Sequence, residues 1–290
     1  MRVNEIPIVF NCEQADLIGI LHCPVSVESD TVGVLIVVGG PQYRVGSHRQ
    51  FVLLARYLAE NGIPVMRFDV RGMGDSTGLS AGFEHIDADI RSGIDAFYQH
   101  QPGLARVVLW GLCDAASASA FYAYQDHRVS GMVLLNPWVY TQQGAAKSYL
   151  KHYYLKRLTN PDLWRKVFGL RFDYLQSLRS LFDFTRKALN GGNKLIAQVS
   201  AGTVDQRLPL PERVRECLRR SSCNILIILS GRDLTADEFR DAVRQDFIWQ
   251  ELLADPRITR RDLPEADHTF STRVWRDQVA ELTLDWLRKV

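Results

Sequence analysis

One short stretch constrains this chain more than any other. Val107-Val108-Leu109-Trp110 is an apolar strand, Gly111-Leu112-Cys113-Asp114-Ala115 must turn sharply, and the small residues from Ala115 to Ala120 open a helix. Small residues two positions before and after the apex let a strand and the helix that follows it approach closely, which is the layout of a nucleophile elbow. A helix that packs back onto its own strand also implies a mostly parallel sheet covered by helices. The apex residue is Cys113, so the thiol is the candidate nucleophile.

The rest of the chain keeps that rhythm. Ile8 to Phe10 and Leu17 to His22 read as an opening pair of strands, and Val34 to Val38 as a strand ended by Gly39-Gly40-Pro41. Ser47 is placed to cap a helix from about His48 to Glu60, with Phe51, Leu54, Tyr57 and Leu58 on one face. A strand at Val65–Phe68, a helix at Ile86–Tyr98 and a strand at Val129–Leu135 follow. After Trp138 the alternation stops. Between Thr141 and Asn190 ten Lys and Arg face three Asp, and aromatic residues are interleaved with them. The alternation resumes with a strand at Ile225–Leu229, a helix at Asp237–Leu253, a strand at Ile258–Leu263 and a closing helix at Thr272–Leu287. The division expected is an α/β core of residues 1–140 and 207–290, carrying a helical cap or lid insertion at 141–206.

Composition narrows the class. With 290 residues, 46% apolar and 23% charged, the chain can bury a sizeable core. A net charge of +2 argues against nucleic acid as a partner. The N-terminus lacks the apolar run of a signal peptide, and nothing approaches the roughly 20 apolar residues of a membrane span. The five cysteines (Cys12, Cys23, Cys113, Cys217, Cys223) have no metal-binding spacing, so no metal or cofactor is expected. Their odd, scattered placement fits reduced thiols in a cytoplasmic protein.

A cysteine nucleophile needs a base and an oxyanion site. His268 follows the last strand and precedes the last helix, which makes it the candidate base among seven histidines. Asp233, in Leu229-Ser230-Gly231-Arg232-Asp233, follows an apolar strand and is the candidate acid. It is equally placed to cap the next helix, and Asp237 is a rival. The oxyanion donors expected are the backbone N–H of Asp114 and one from the loop after Val38, where Gly40 is the first candidate and Gln42 the second; Pro41 has no N–H. Ser117 and Ser119 lie too far along the helix to reach a pocket mouth, and Ser76 reads as a structural part of a tight turn. Arg71-Gly72-Met73-Gly74-Asp75-Ser76 lacks the third glycine of a dinucleotide fingerprint.

Taken together, Val38-Gly39-Gly40-Pro41, Phe68-Asp69-Val70-Arg71-Gly72-Met73-Gly74-Asp75-Ser76, the elbow, Gly231-Arg232-Asp233 and Asp267-His268 resemble the α/β-hydrolase superfamily over nearly the whole chain. The order Cys113, Asp233, His268 matches that superfamily's nucleophile, acid, histidine order. Three positions depart from it: cysteine stands for serine, Ala115 for the second glycine, and Gly39-Gly40 lacks the usual preceding histidine. More narrowly, the G-L-C-D-A elbow and Ser230-Gly231-Arg232-Asp233-Leu234-Thr235-Ala236 resemble hydrolases encoded beside exosortase A in bacterial exopolysaccharide loci. That resemblance implies a hydrolytic enzyme.

The chemistry expected is acyl transfer to water from an ester, thioester or lactone through a Cys113 acyl-enzyme. Transfer of the acyl group to another acceptor is the alternative, and a hydrolase-fold binding protein without turnover is the third reading. The partner expected is a small-molecule acyl substrate. The basic insertion fits three roles: recognition of an anionic, carrier-bound acyl group, contact with an anionic membrane surface, or a solvated lid face.

Overall fold

The apolar strands are buried on both faces, and alternate residues of each serve different helices. Leu35 and Val37 belong to one hydrophobic layer and Val34 and Ile36 to the other. Val107 and Leu109 are divided from Val108 and Trp110 in the same way, as are Ile225 and Ile227 from Leu226 and Ile228. This is the period-two alternation of a strand with no face left to water.

In the computed structural model the described residues are 3–25, 30–40, 42–140 and 204–290. Among them, eight strands form one sheet: β1 (Asn4–Cys12), β2 (Ala15–Cys23), β3 (Thr31–Val37), β4 (Val65–Phe68), β5 (Leu104–Leu112), β6 (Val129–Leu135), β7 (Asn224–Arg232) and β8 (Ile258–Asp267). Their order across the sheet is β1-β2-β4-β3-β5-β6-β7-β8. The β1–β2 and β2–β4 pairs are antiparallel, and the other five are parallel. The helices are α1 (Gln50–Glu60), α2 (Asp87–His100), α3 (Asp114–Ala123), α4 (Leu210–Arg220), α5 (Leu234–Gln245), α6 (Phe247–Leu253) and α7 (Arg273–Leu287). Phe51 and Leu54 of α1 and Val279 and Leu284 of α7 cover one face. Phe97 of α2, the alanines of α3, Val214 of α4, Phe239 of α5 and Trp249 of α6 cover the other. This is the α/β-hydrolase fold expected from the sequence. Parallel strands put their C-terminal ends on one edge, and the ends of β3, β5, β7 and β8 there carry every candidate catalytic residue.

Several elements differ from the expectation. Ser47 makes no capping bond: a short 3-10 turn spans Ser47–Arg49, with His48 and Arg49 both left-handed (φ 53° and 62°), and α1 begins at Gln50. The single helix expected over 237–253 is two, because Asp246 is extended (φ −128°) and its carboxylate caps Ile248 N–H, starting α6 afresh. β8 runs four residues beyond Leu263, so Glu265 and Asp267 are strand residues. α4 was not expected at all. Of the insertion assigned to 141–206, residues 141–203 lie outside the described residues. No described helix is long and apolar enough to cross a membrane.

Candidate active site

Cys113 sits between β5 and α3 with φ 61° and ψ −122°, a conformation that L-residues rarely adopt. Such strain costs on the order of 1–3 kcal/mol and persists only where the surroundings over-determine it. Here they do: Cys113 N–H donates to the Leu135 carbonyl at 2.8 Å, and its own carbonyl accepts from Ala116 N–H at 3.1 Å and Trp138 N–H at 3.2 Å. Close packing completes the elbow. A Cβ on Gly111 would lie 2.6 Å from the Ala115 carbonyl oxygen, and one on Gly39 would lie 2.7 Å from Ala115 N and 2.9 Å from Ala115 Cβ. The bare backbone of Gly39 therefore makes the room that Ala115, in place of a glycine, requires.

Asp233 caps α5 and faces the histidine at once. Its Oδ1 accepts Thr235 N–H and its Oδ2 accepts Ala236 N–H, both at 3.1 Å, and the Ser230 hydroxyl donates to Oδ2 at 3.4 Å. His268 Nδ1 lies 2.9 Å from the same Oδ2. The capping and catalytic placements of Asp233 are thus compatible, whereas the rival Asp237 pairs with Arg240 at 3.1 Å. The bond to Asp233 above all, and then a hydrogen bond with the Cys113 thiol, push the His268 pKa up to about 10 against the effect of burial. At neutral pH the ring is an imidazolium with the carboxylate on one side and the sulfur on the other.

The loop carrying His268 is held at two further points. Ser271 N–H donates to Asp267 Oδ1 at 2.9 Å, closing the turn that follows His268. Asn136 is fully buried at the end of β6 with φ 44°. Its Nδ2 donates to the His268 carbonyl at 3.1 Å, its Oδ1 accepts Ser230 N–H at 2.9 Å, and its backbone N–H donates to the Ile228 carbonyl at 3.0 Å. It ties the strand beside the elbow to both the acid and the base. Nothing in the sequence around Asn136 signals this role beyond its place at the end of an apolar strand.

The expected oxyanion donors are arranged less simply. Gly40 N–H, in a left-handed residue (φ 60°), donates to Asp114 Oδ2 at 2.7 Å and is engaged in this structure, because a half-buried carboxylate takes the donors within reach. Ala115 N–H donates to Asp114 Oδ1 at 2.9 Å. Burial, set against these bonds, raises the Asp114 pKa. Gln42 lies in the same loop, and its buried Oε1 has no partner among the described residues. That loop is clamped by Arg44, whose guanidinium pairs with the fully buried Asp69. The serines behave as expected: Ser117 donates to the Trp138 carbonyl at 2.6 Å, Ser119 to that of Ala115 and Ser76 to that of Asp69, each at 2.7 Å.

A cavity of about 330 Å³ opens beside the elbow, lined by Val38, Gly39, Gly40, Val70, Met73, Phe83, Ile86 and Asp114 among others. Its lining comes from the segments that follow β3 and β4 and from Asp114 at the start of α3, and it includes Ser80, which bears a hydroxyl.

A family model described as serine aminopeptidase, S33, matches residues 32–246. No curated protein matches the chain. Solved structures share its fold at low identity. An esterase from Pyrococcus furiosus has a TM-score of 0.65 at 14% identity over 99% of this chain and 93% of its own. An acylaminoacyl peptidase from Pyrococcus horikoshii has a TM-score of 0.61 at 15% identity over 99% of this chain and 41% of its own. A dienelactone hydrolase from Anabaena variabilis has a TM-score of 0.60 at 14% identity, over 100% and 99%.

Proposed function

The chain belongs to the serine aminopeptidase family of α/β-hydrolases, matched over residues 32–246, and on that premise we propose that it is an acyl hydrolase whose nucleophile is Cys113. The observation that carries the reading is the position of the His268 ring, its Nδ1 2.9 Å from Asp233 Oδ2 at the strand-end edge that also carries Cys113, and its raised pKa supports the same reading.

The reaction follows from that charge distribution. With the proton resting on His268, the sulfur attacks the acyl carbonyl as a thiolate. The tetrahedral oxyanion collapses, the bond to the leaving group breaks, and His268 gives its proton to that group. Neutral His268 then takes a proton from water as the water attacks the thioester; collapse expels the Cys113 thiolate, releases the acid and leaves the proton on His268 again. Asp233 holds the ring and stabilises its charge throughout. The oxyanion is assigned to the backbone N–H of Asp114 with that of Gly40, or of Gln42 in its place.

Cysteine in place of the family's serine favours activated acyl groups. Esters, thioesters and lactones expel their leaving groups more readily than amides do, so they suit a thiolate nucleophile better. The thioester intermediate also transfers to alcohols and amines, which keeps an acyltransferase as the second reading. The resemblance of the elbow and of Ser230 to Ala236 to exosortase-associated hydrolases supports a place in exopolysaccharide metabolism. The charge of residues 141–190 supports an anionic, carrier-bound substrate or contact with an anionic membrane.

Turnover of a para-nitrophenyl ester series tests the reading. Cys113→Ala is expected to lower kcat by about a thousandfold or more, with added amine acceptors diverting product if transfer competes. Equal turnover by wild type and Cys113→Ala contradicts Cys113 as the nucleophile, and no turnover by wild type together with an iodoacetamide reactivity at Cys113 no greater than at the other four cysteines favours a non-catalytic binding role.

A further inference from the structure

The loop that leads from β3 to α1 carries both candidate oxyanion donors, Gly40 and Gln42, and it is anchored on either side of them. On one side Gly40 N–H donates to Asp114 Oδ2 at 2.7 Å. On the other, Arg44 is held at both of its peptide groups. Its N–H donates to Asp69 Oδ1, and its carbonyl accepts from Nη1 of Arg67 at 3.0 Å. A turn closed by Gly46 N–H on the Tyr43 carbonyl at 2.9 Å encloses Arg44. Gln42 lies between the two anchors.

Arg67 is a costly anchor. It stands in β4, paired with Ile20 of β2 on one side and Ile36 of β3 on the other, and it is only 5% exposed. Among the described residues its hydrogen-bond partners are neutral, the His22 ring and the Arg44 carbonyl. Burial lowers its pKa to about 10, against the more distant charges of Glu5 and Asp69, so it is still a cation at neutral pH. A buried cation without a bonded carboxylate destabilises a fold, and an apolar side chain of similar volume would avoid that cost.

The guanidinium is also aimed. Its Nε–H donates to Nε2 of His22, fully buried on β2, at 2.9 Å. Nε2 must then be bare, so His22 is neutral with its proton on Nδ1. Burial above all, and next the Arg67 charge, lower the His22 pKa to about 4. Glu5 Oε1, itself paired with Arg56, lies 3.9 Å from His22 Nδ1. A guanidinium is planar, so fixing Nε on His22 also fixes the plane in which Nη1 meets the Arg44 carbonyl.

We propose that Arg67 is a positioning residue for acyl transfer: aimed by His22, it holds the Arg44 carbonyl and thereby fixes the loop whose Gly40 or Gln42 amide meets the oxyanion. The inference rests on the acyl-hydrolase reading and adds to it a residue that acts through the loop rather than on the substrate.

Two reactions of Cys113 separate this role from a general structural one. Acylation by para-nitrophenyl hexanoate passes through an oxyanion, whereas alkylation by iodoacetamide displaces iodide from a saturated carbon and forms none. Arg67→Met, with thermal melts to establish that it folds, is expected to slow stopped-flow acylation by about ten- to a hundredfold, the scale of a misplaced oxyanion donor. Its alkylation rate is expected to stay at that of wild type. Arg67→Lys keeps the charge without the planar fork and should fall between. His22→Gln keeps an acceptor for Arg67 Nε–H and should acylate as wild type does, whereas His22→Leu should slow acylation alone; this pair carries the test if Arg67→Met does not fold. A folded Arg67→Met that acylates at the wild-type rate, or that loses acylation and alkylation in equal measure, overturns the inference and leaves the acyl-enzyme reading standing on wild-type acylation. His22→Leu matching His22→Gln in both rates does the same. Absence of Cys113 acylation in wild type overturns the acyl-enzyme reading and the inference with it.

Discussion

The side chain of Asn136 donates to the main-chain carbonyl of His268 at 3.1 Å, across 132 residues of sequence. The same amide accepts Ser230 N–H, three residues before Asp233. One buried side chain therefore sets the distance between the strand carrying the acid and the loop carrying the base. Asn136→Ala leaves Ser230 N–H without its acceptor, at a cost of about 1–3 kcal/mol. Urea titration should show that loss, and stopped-flow acylation of Cys113 should slow more than KM changes. A variant as stable and as fast as wild type contradicts the assignment.

Gly39 and Ala115 form a matched pair. A Cβ on Gly39 would press most closely on Asp114 Oδ1, then on Ala115 N at 2.7 Å and on Ala115 Cβ at 2.9 Å. Gly39→Ala is expected to destabilise by about 1–3 kcal/mol through overpacking and to slow iodoacetamide at Cys113. The second substitution Ala115→Gly should restore part of both, as coupled neighbours do. Strict additivity of the two changes in melts and alkylation rates argues against the pairing.

His268 gives a pH signature with a definite sign. Its pKa is raised from 6.5 to about 10, so the folded protein holds this proton more tightly than the unfolded chain. That stabilisation is complete below about pH 6.5 and is lost as pH rises through about 10. The difference in Tm between wild type and His268→Gln should be largest below pH 6.5 and shrink toward pH 10. A difference that grows with pH contradicts the ion pair.

What was legible in the sequence was what parallel-sheet geometry places for any chain. Cys113 and Asp233 follow apolar strands, His268 follows the charged edge strand β8, and strand ends on one edge converge, so a shared edge could be read without coordinates. The elbow was readable because Gly111 and Ala115 bracket Cys113 at the spacing that close strand–helix packing requires. Asn136 was not readable, because its role needs β6, β7 and the His268 loop to be adjacent. Nor was the Gly40–Asp114 bond, since a helix-initial aspartate looks the same whether its carboxylate faces water or a neighbouring amide. Ser47 misled because a serine before an amphipathic run is the usual cap. Here the left-handed His48 and Arg49 carry the chain into α1 instead. The break at Asp246 had a signal in the aspartate itself, which caps a helix more readily than it continues one.

The central claim is that Cys113 becomes acylated, and intact-mass spectrometry reads this directly. After a brief exposure to an activated acyl ester and an acid quench, wild type is expected to gain one acyl mass that maps to the Cys113 peptide, and Cys113→Ala is expected to gain none. An unmodified wild type, or the same adduct on Cys113→Ala, contradicts the account.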